Sequence, residues 1–213
     1  MSEKEEMWLT RCIEFHGHEC GGLWIGFKAA LYVRKLLDVE HSSDEELVCV
    51  AENDACGVDA IQVMLGCSVG KGNLLFKLRG KQAFNFYWRD GRRAVRLLLK
   101  ETMSMGREEK LEYLKKTPPE ELFSVEELHD TPPSEARIFS SVKCDGCKEL
   151  TAENMLRLQN GKKLCLDCYR PYSKMVLRFF LGTIFMMGFH NMDIPPRGLL
   201  TFLHFDKILS VKS

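Results

Sequence analysis

The run His16-Gly17-His18-Glu19-Cys20-Gly21-Gly22 holds two imidazoles, a carboxylate and a thiol within five residues, ahead of glycines that open an apolar helix. Imidazole and thiolate together suit a borderline-soft transition metal better than a hard cation. Cys20 falls at a helix start, where orphan amides and the helix dipole favour a thiolate. Cys56 stands in the same relation to the next helix, two residues after Asp54, the expected N-cap. A domain that brings these helix starts together would place His18, Cys20 and Cys56 within metal-bonding range, with His16 as a further candidate ligand. Cys67 lies in a glycine loop and is a weaker candidate, while Cys12 and Cys49 fall on apolar faces and read as core.

A second constellation is simpler. Cys144-Asp-Gly-Cys147 and Cys165-Leu-Asp-Cys168 are separated by 17 residues, a spacing suited to two zinc knuckles. Each CxxC turn presents two thiolates on one side, and two such turns close a tetrahedron around one ion at about 2.3 Å per bond. The alternatives are an iron–sulfur site, a redox-active pair or unrelated cysteines. Zinc is preferred because four ligands leave no open position and no strand–helix unit surrounds either pair. Asn160-Gly161, midway, signals a hairpin turn.

The loop Gly66-Cys-Ser-Val-Gly70-Lys71-Gly72 has glycines one residue too close for a P-loop, and Gly72 stands where a magnesium-holding hydroxyl belongs. A nest of amides with Lys71 gripping an anionic group, or a plain turn, are the two readings left.

The elements that position these groups follow from periodicity. Helices are predicted over about 4–14, 23–37 and 56–65, a buried strand over 47–51, and further strands over 74–78 and 83–89. Asp90-Gly91 predicts a hairpin into 94–97. The expected fold is α+β: a mixed α/β N-terminal domain over 1–105 with a small treble-hairpin zinc ribbon over 139–174. Residues 106–138 are charged, with Pro-Pro at 118–119 and 132–133, and read as a semi-rigid connector containing one solvent-facing helix. Residues 175–213 form an apolar tail whose run from Met175 to Phe189 contains Arg178 and falls short of the ~20 residues a membrane helix needs. It is read as a helix packed on the protein or a dimer partner, against membrane-surface attachment or a terminus foreign to the natural protein.

Thirty basic residues balance thirty acidic ones, so no global field draws the chain to nucleic acid or an anionic membrane, and neither is an expected partner. Nine cysteines, an odd number, with no apolar leader after MSEKEEMWLT, argue against a secreted disulfide scaffold and for the cytoplasm.

HGHECGG, ENDACGVDAIQVMLGC and SVGKGNL, in that order, resemble the FmdE component of formylmethanofuran dehydrogenase and its stand-alone relatives, including those with a C-terminal zinc ribbon. The motifs cover residues 10 to about 100, with the ribbon over 140–170. Gly21 stands where that family usually has proline. The resemblance implies an α+β domain that dimerises and binds metal in its core. It implies His18, Cys20 and Cys56 as metal or active-site residues, with His16, Asp59, Cys67 and Lys71 as neighbours. The family name is tied to a molybdenum or tungsten enzyme, which makes subunits of such oxidoreductases candidate partners.

Two functions follow. The first is a redox-associated subunit or small metalloenzyme. A second transition metal, expected to be zinc, would sit in the N-terminal domain beside Cys20 and Cys56, with Asp59 or Glu19 as proton acceptor and Lys71 for an anionic substrate. The second is a non-catalytic metal or cofactor carrier, or a regulator docking protein or nucleic acid through its ribbon.

Overall fold

The computed structural model describes residues 1–89, 93–101 and 105–172, in two compact units, Met1–Ile138 and Phe139–Ser213. In the first unit, α1 (Glu3–His16) begins with a capping box between Ser2 and Glu5. It ends where Gly17 takes φ 90°, a left-handed turn that only glycine adopts freely. The chain therefore swings at once into α2 (Gly21–Leu37), and His16 is left as the last residue of its helix.

β1 (Leu47–Ala51), α3 (Gly57–Leu65) and β2 (Leu74–Phe76) form a strand–helix–strand crossover, with β1 and β2 parallel in register Cys49↔Leu74. β3 (Ala83–Trp88), β4 (Arg93–Leu99) and β5 (Phe123–Glu127) continue the sheet antiparallel, in the order β2-β1-β3-β4-β5. The Asp90-Gly91 turn lies outside the described residues, although β3 and β4 pair from Trp88↔Arg93. Alternate residues Leu47, Cys49, Phe84, Phe86, Val95 and Leu97 join the core with Phe27 of α2 and Ile61 and Met64 of α3. On the other face Arg96 grips Glu52 through two hydrogen bonds of 2.6 and 3.1 Å, and Asn85 also donates to Glu52.

Residues 106–138 are not a connector. α4 (Arg107–Lys116) and α5 (Pro119–Leu122) belong to the first unit, and β5 is the sheet's last strand. Leu114, Leu122 and Phe123 are fully buried, and the Lys28 ammonium donates to the carbonyls of Lys115 and Thr117 at the end of α4. The segment has a solvent-facing pattern because α4 packs only Leu111, Tyr113 and Leu114 against the core amid charged residues, less than a full stripe.

In the second unit β6 (Ser141–Lys143) pairs with β7 (Leu150–Ala152), and β8 (Arg157–Gln159) pairs with β9 (Lys162–Leu164), all antiparallel. Asn160 and Gly161 at φ 51° and 73° make the expected turn between β8 and β9. The described residues show two hairpins and a second knuckle. The apolar tail from Met175 lies outside the described residues. No described helix is long and apolar enough to cross a membrane.

Candidate metal centres

The ribbon gathers Cys144, Cys147, Cys165 and Cys168 with all four sulfurs within 4.8 Å of one another. Local chain geometry does most of this. The Gly146 and Cys165 amides donate to Cys144 Sγ at 3.3 and 3.2 Å, and the Asp145 carboxylate accepts from the Lys163 amide at 2.7 Å, tying the first knuckle to β9. The Cys165 amide first, with those of Cys147 and Gly146, pulls the Cys144 thiol down to about 6, which prepares it as a thiolate ligand. At Gly146 a Cβ would lie 2.8 Å from Cys168 Sγ, so only glycine leaves room for the second knuckle.

The first unit builds a different centre. His16 at the end of α1, Cys20 at the N-cap of α2 and Cys56 at the N-cap of α3 bring one donor atom each within 4.8 Å of the others. Cys20 Sγ accepts the Leu23 amide at 3.4 Å, the bond expected of a capping side chain, and lies 3.7 Å from His16 Nε2. Cys56, rather than Asp54, is the N-cap residue of α3, and its side chain makes no capping bond. Asn53, one residue earlier, accepts the Ala55 amide and shapes that turn instead. Burial in the first place, then the facing Cys20 thiol, raises the Cys56 thiol above its ordinary value.

Close helix approach makes the meeting possible. Gly22 on α2 faces Cys56, where an added Cβ would stand 3.0 Å from Cys56 Cβ, and a Cβ on Gly26 would overlap the Gly57 carbonyl. The glycines that read as turn residues are in part contact residues between α2 and α3.

Asp59, one turn into α3, completes the arrangement. Its Oδ2 accepts from His16 Nδ1 at 2.7 Å, and Gln62 donates to its other oxygen at 3.3 Å. This is the carboxylate–histidine pair typical of metal-ligating imidazoles: the carboxylate holds the Nδ1–H tautomer and turns Nε2 toward the thiols. The donor set of one imidazole and two thiols suits zinc or a similar transition metal.

The other expected site residues go elsewhere. His18 is not in the donor group; its ring lies against His16 with centroids 4.6 Å apart. Glu19 accepts from Trp24 Nε1 at 2.8 Å and from the Lys115 ammonium at 3.0 Å, and the Trp24 bond, then Lys115, lowers its carboxyl below the usual range. Its role is to tie the start of α2 to α4. Lys71 donates to the carbonyls of Ser42, Ser43 and Asp44 at 3.0, 3.4 and 3.3 Å, so its ammonium ties two loops together rather than waiting for an anion. Cys67 is buried, donates to the Leu47 carbonyl at 3.5 Å, and is pushed up to about 12 by burial. Cys12 and Cys49 are buried in the core.

The sequence places Asp59 among the neighbours but gives no direct sign of its bond to His16. The available signal is the fixed offset of Asp59 three residues after Cys56, which puts both on the first turn of α3.

A family model described as "FmdE, Molybdenum formylmethanofuran dehydrogenase operon" matches residues 15–132, and one described as a prokaryotic dksA/traR C4-type zinc finger matches 137–174. A probable S-adenosyl-L-methionine-binding protein of Archaeoglobus fulgidus is 29% identical over 203 residues, covering 80% of this chain and 54% of that protein. The chain thus spans about half the length of this curated relative. Among solved structures, a tungsten formylmethanofuran dehydrogenase FmdE-like protein from Syntrophus aciditrophicus shares the fold, with a TM-score of 0.59 at 21% identity over 79% of this chain and 95% of that one. Because the first match runs over more than half the sequence and encloses His16, Cys20, Cys56 and Asp59, the chain belongs to the FmdE family, here carrying a C4 zinc finger behind the family domain.

Proposed function

We propose that the first unit is a small metalloenzyme centre, in which His16 Nε2, Cys20 Sγ and Cys56 Sγ hold a divalent transition metal and leave a fourth position open. The observation that carries this reading is the Asp59–His16 bond of 2.7 Å, which aims Nε2 at the two thiols. Three protein ligands with an open position is the arrangement of catalytic rather than structural zinc. A metal bound there would polarise a substrate oxygen or lower the pKa of a bound water. Asp59 has two tasks in this reading: its bond to Nδ1 fixes the imidazole, and its carboxylate at the edge of the adjoining cleft receives a proton from the reacting group. Cys20 and Cys56 act as ligands, and Lys71 is left to hold the loops. The family's name makes molybdenum or tungsten oxidoreductase subunits the candidate companions, the resemblance makes a homodimer the expected assembly, and the free thiols suit the reducing cytoplasm.

Protein purified without oxygen should hold two metal equivalents per chain, and Cys20→Ser with Cys56→Ser should hold one. Two equivalents in the double variant would refute the reading. Asp59→Asn should keep the fold and weaken the core metal about 10- to 100-fold. Unchanged affinity would remove Asp59 from the centre.

A second reading is favoured by His18, whose ring stands beside His16. Rotated inward it would supply a fourth ligand and make the unit a metal carrier. X-ray absorption separates the two: one nitrogen or oxygen from solvent supports catalysis, and two imidazoles support carriage.

A further inference from the structure

Resting on that metal reading, we propose that the cleft beside the centre takes a small ligand with an apolar body and a neutral or cationic head group, and turns away anions. The cleft has a volume of about 340 Å³, at the small end of ligand pockets. His16 and Cys56 line it, so a molecule seated there reaches the open metal position. Its walls include Val58, Val69, Leu74 and Phe76. Val69 is 61% and Phe76 45% exposed. They offer the apolar body a surface to cover.

Charge decides the head group. The two carboxylates on the cleft are Asp54 and Asp59, and no lysine or arginine is among its described lining residues. Asp54 makes no hydrogen bond or ion pair among the described residues, so its charge is free to act on a ligand. Two thiolates cancel the charge of a divalent ion, and the carboxylates then leave the cleft negative. Lys71, two residues after Val69, spends its ammonium on carbonyls, Lys115 spends its on Glu19, and Lys77, which follows Phe76, is not among the lining residues. A carboxylate or phosphate would enter a negative cleft without a counter-charge, and a cation or neutral amide would not meet that barrier.

Benzamidine, benzamide and benzoate share one shape and differ in charge, which makes them the probes. Each is titrated into the full chain loaded with cobalt(II). Binding is read from the methyl resonances of Val69 and Leu74, and the metal centre from its sulfur-to-cobalt absorption. Benzamidine and benzamide should bind at least tenfold more tightly than benzoate. Asp54→Asn should narrow the gap between benzamidine and benzamide, and Phe76→Ser should weaken both alike while leaving the cobalt absorption in place. Benzoate binding as tightly as benzamide overturns the proposal, as does failure of all three to move the methyl resonances. The metal reading fails separately, if the absorption of the core site survives Cys20→Ser with Cys56→Ser, because the methyl titrations do not depend on it.

Discussion

The ribbon and the FmdE-family unit solve the same problem, holding thiols a few ångströms apart, by different means. In the ribbon all four sulfurs lie on two tight turns within residues 144–168, and among the described residues its buried apolar cluster is only Cys144, Leu164 and Cys165 with a few half-buried neighbours. Without an ion, so small a core cannot offset the entropy of ordering the chain. In the first unit the donors come from three helix ends brought together by a large core that includes Phe27, Phe84, Phe86, Ile61 and Met64. There the fold makes the site, whereas in the ribbon the metal makes the fold. Four ligands close the ribbon to chemistry, while in the centre proposed for the first unit three would leave a position to be filled from the cleft.

The largest expected effect tests the ribbon half of this contrast. Cys165→Ser should cost much of the ~10–16 kcal/mol of apparent zinc-binding energy of such modules and unfold the ribbon. The first unit should melt as before, because the units share no ligand. Ribbon amide resonances that keep their dispersion in this variant would show that the unit folds without its metal. Gly26→Ala tests the other half. A Cβ at Gly26 overlaps the Gly57 carbonyl, so α2 and α3 must part. We expect a loss of about 1–3 kcal/mol, typical of overpacking, with the core metal weakened and the ribbon zinc retained. A variant destabilised to this extent with core metal affinity intact would show that the helix approach does not set the thiol spacing.

The ribbon is almost fully legible in the sequence because its chemistry is local: two CxxC turns and Asn160-Gly161 carry their geometry with them. In the first unit, the helix starts at Cys20 and Cys56 are legible for the same reason. Which histidine joins them is not. His16 and His18 differ by two residues across Gly17, and the left-handed turn there decides which one faces the thiols. That depends on how α1 packs on α3, a tertiary outcome with no local signature. Residues 106–138 mislead for the opposite reason. Leu114 and the Leu122-Phe123 pair sit in short apolar runs between charges, too short for periodicity to announce α4, α5 and β5 as part of the sheet and its cover. Lys71 reads as an anion grip because a glycine loop beside lysine fits that chemistry. Its partners, the carbonyls of residues 42–44, lie nearly thirty positions away in sequence.

The smallest effect concerns acid, and it separates the units by the pH at which each gives way. Zinc ligands must be thiolates, so protons compete directly with the ribbon's metal. Among the described residues of the first unit the most perturbed carboxyl is Glu46, just before β1, held down to about 2 by the Ser42 hydroxyl in the first place and by the amides of Glu46 and Asp44. Its Oε2 accepts from Ser42 Oγ at 2.6 Å and from the Asp44 amide at 2.9 Å, and its Oε1 accepts from Ser43 Oγ at 2.9 Å. The folded value is depressed below the ordinary 4.5, so the contribution is complete above about 4.5 and is lost as pH falls toward 2. Because the group is partly exposed, the contribution is about 1 kcal/mol or less. Acidification should therefore release ribbon zinc first and loosen the 42–46 loop later, and that loop also holds Lys71. Glu46→Gln should lower the melting temperature of the first unit slightly at neutral pH and flatten its decline between pH 4.5 and 2, with the pH of zinc release unchanged. A variant whose acid limb matches the parent's would show that Glu46 does not set the acid tolerance of this unit.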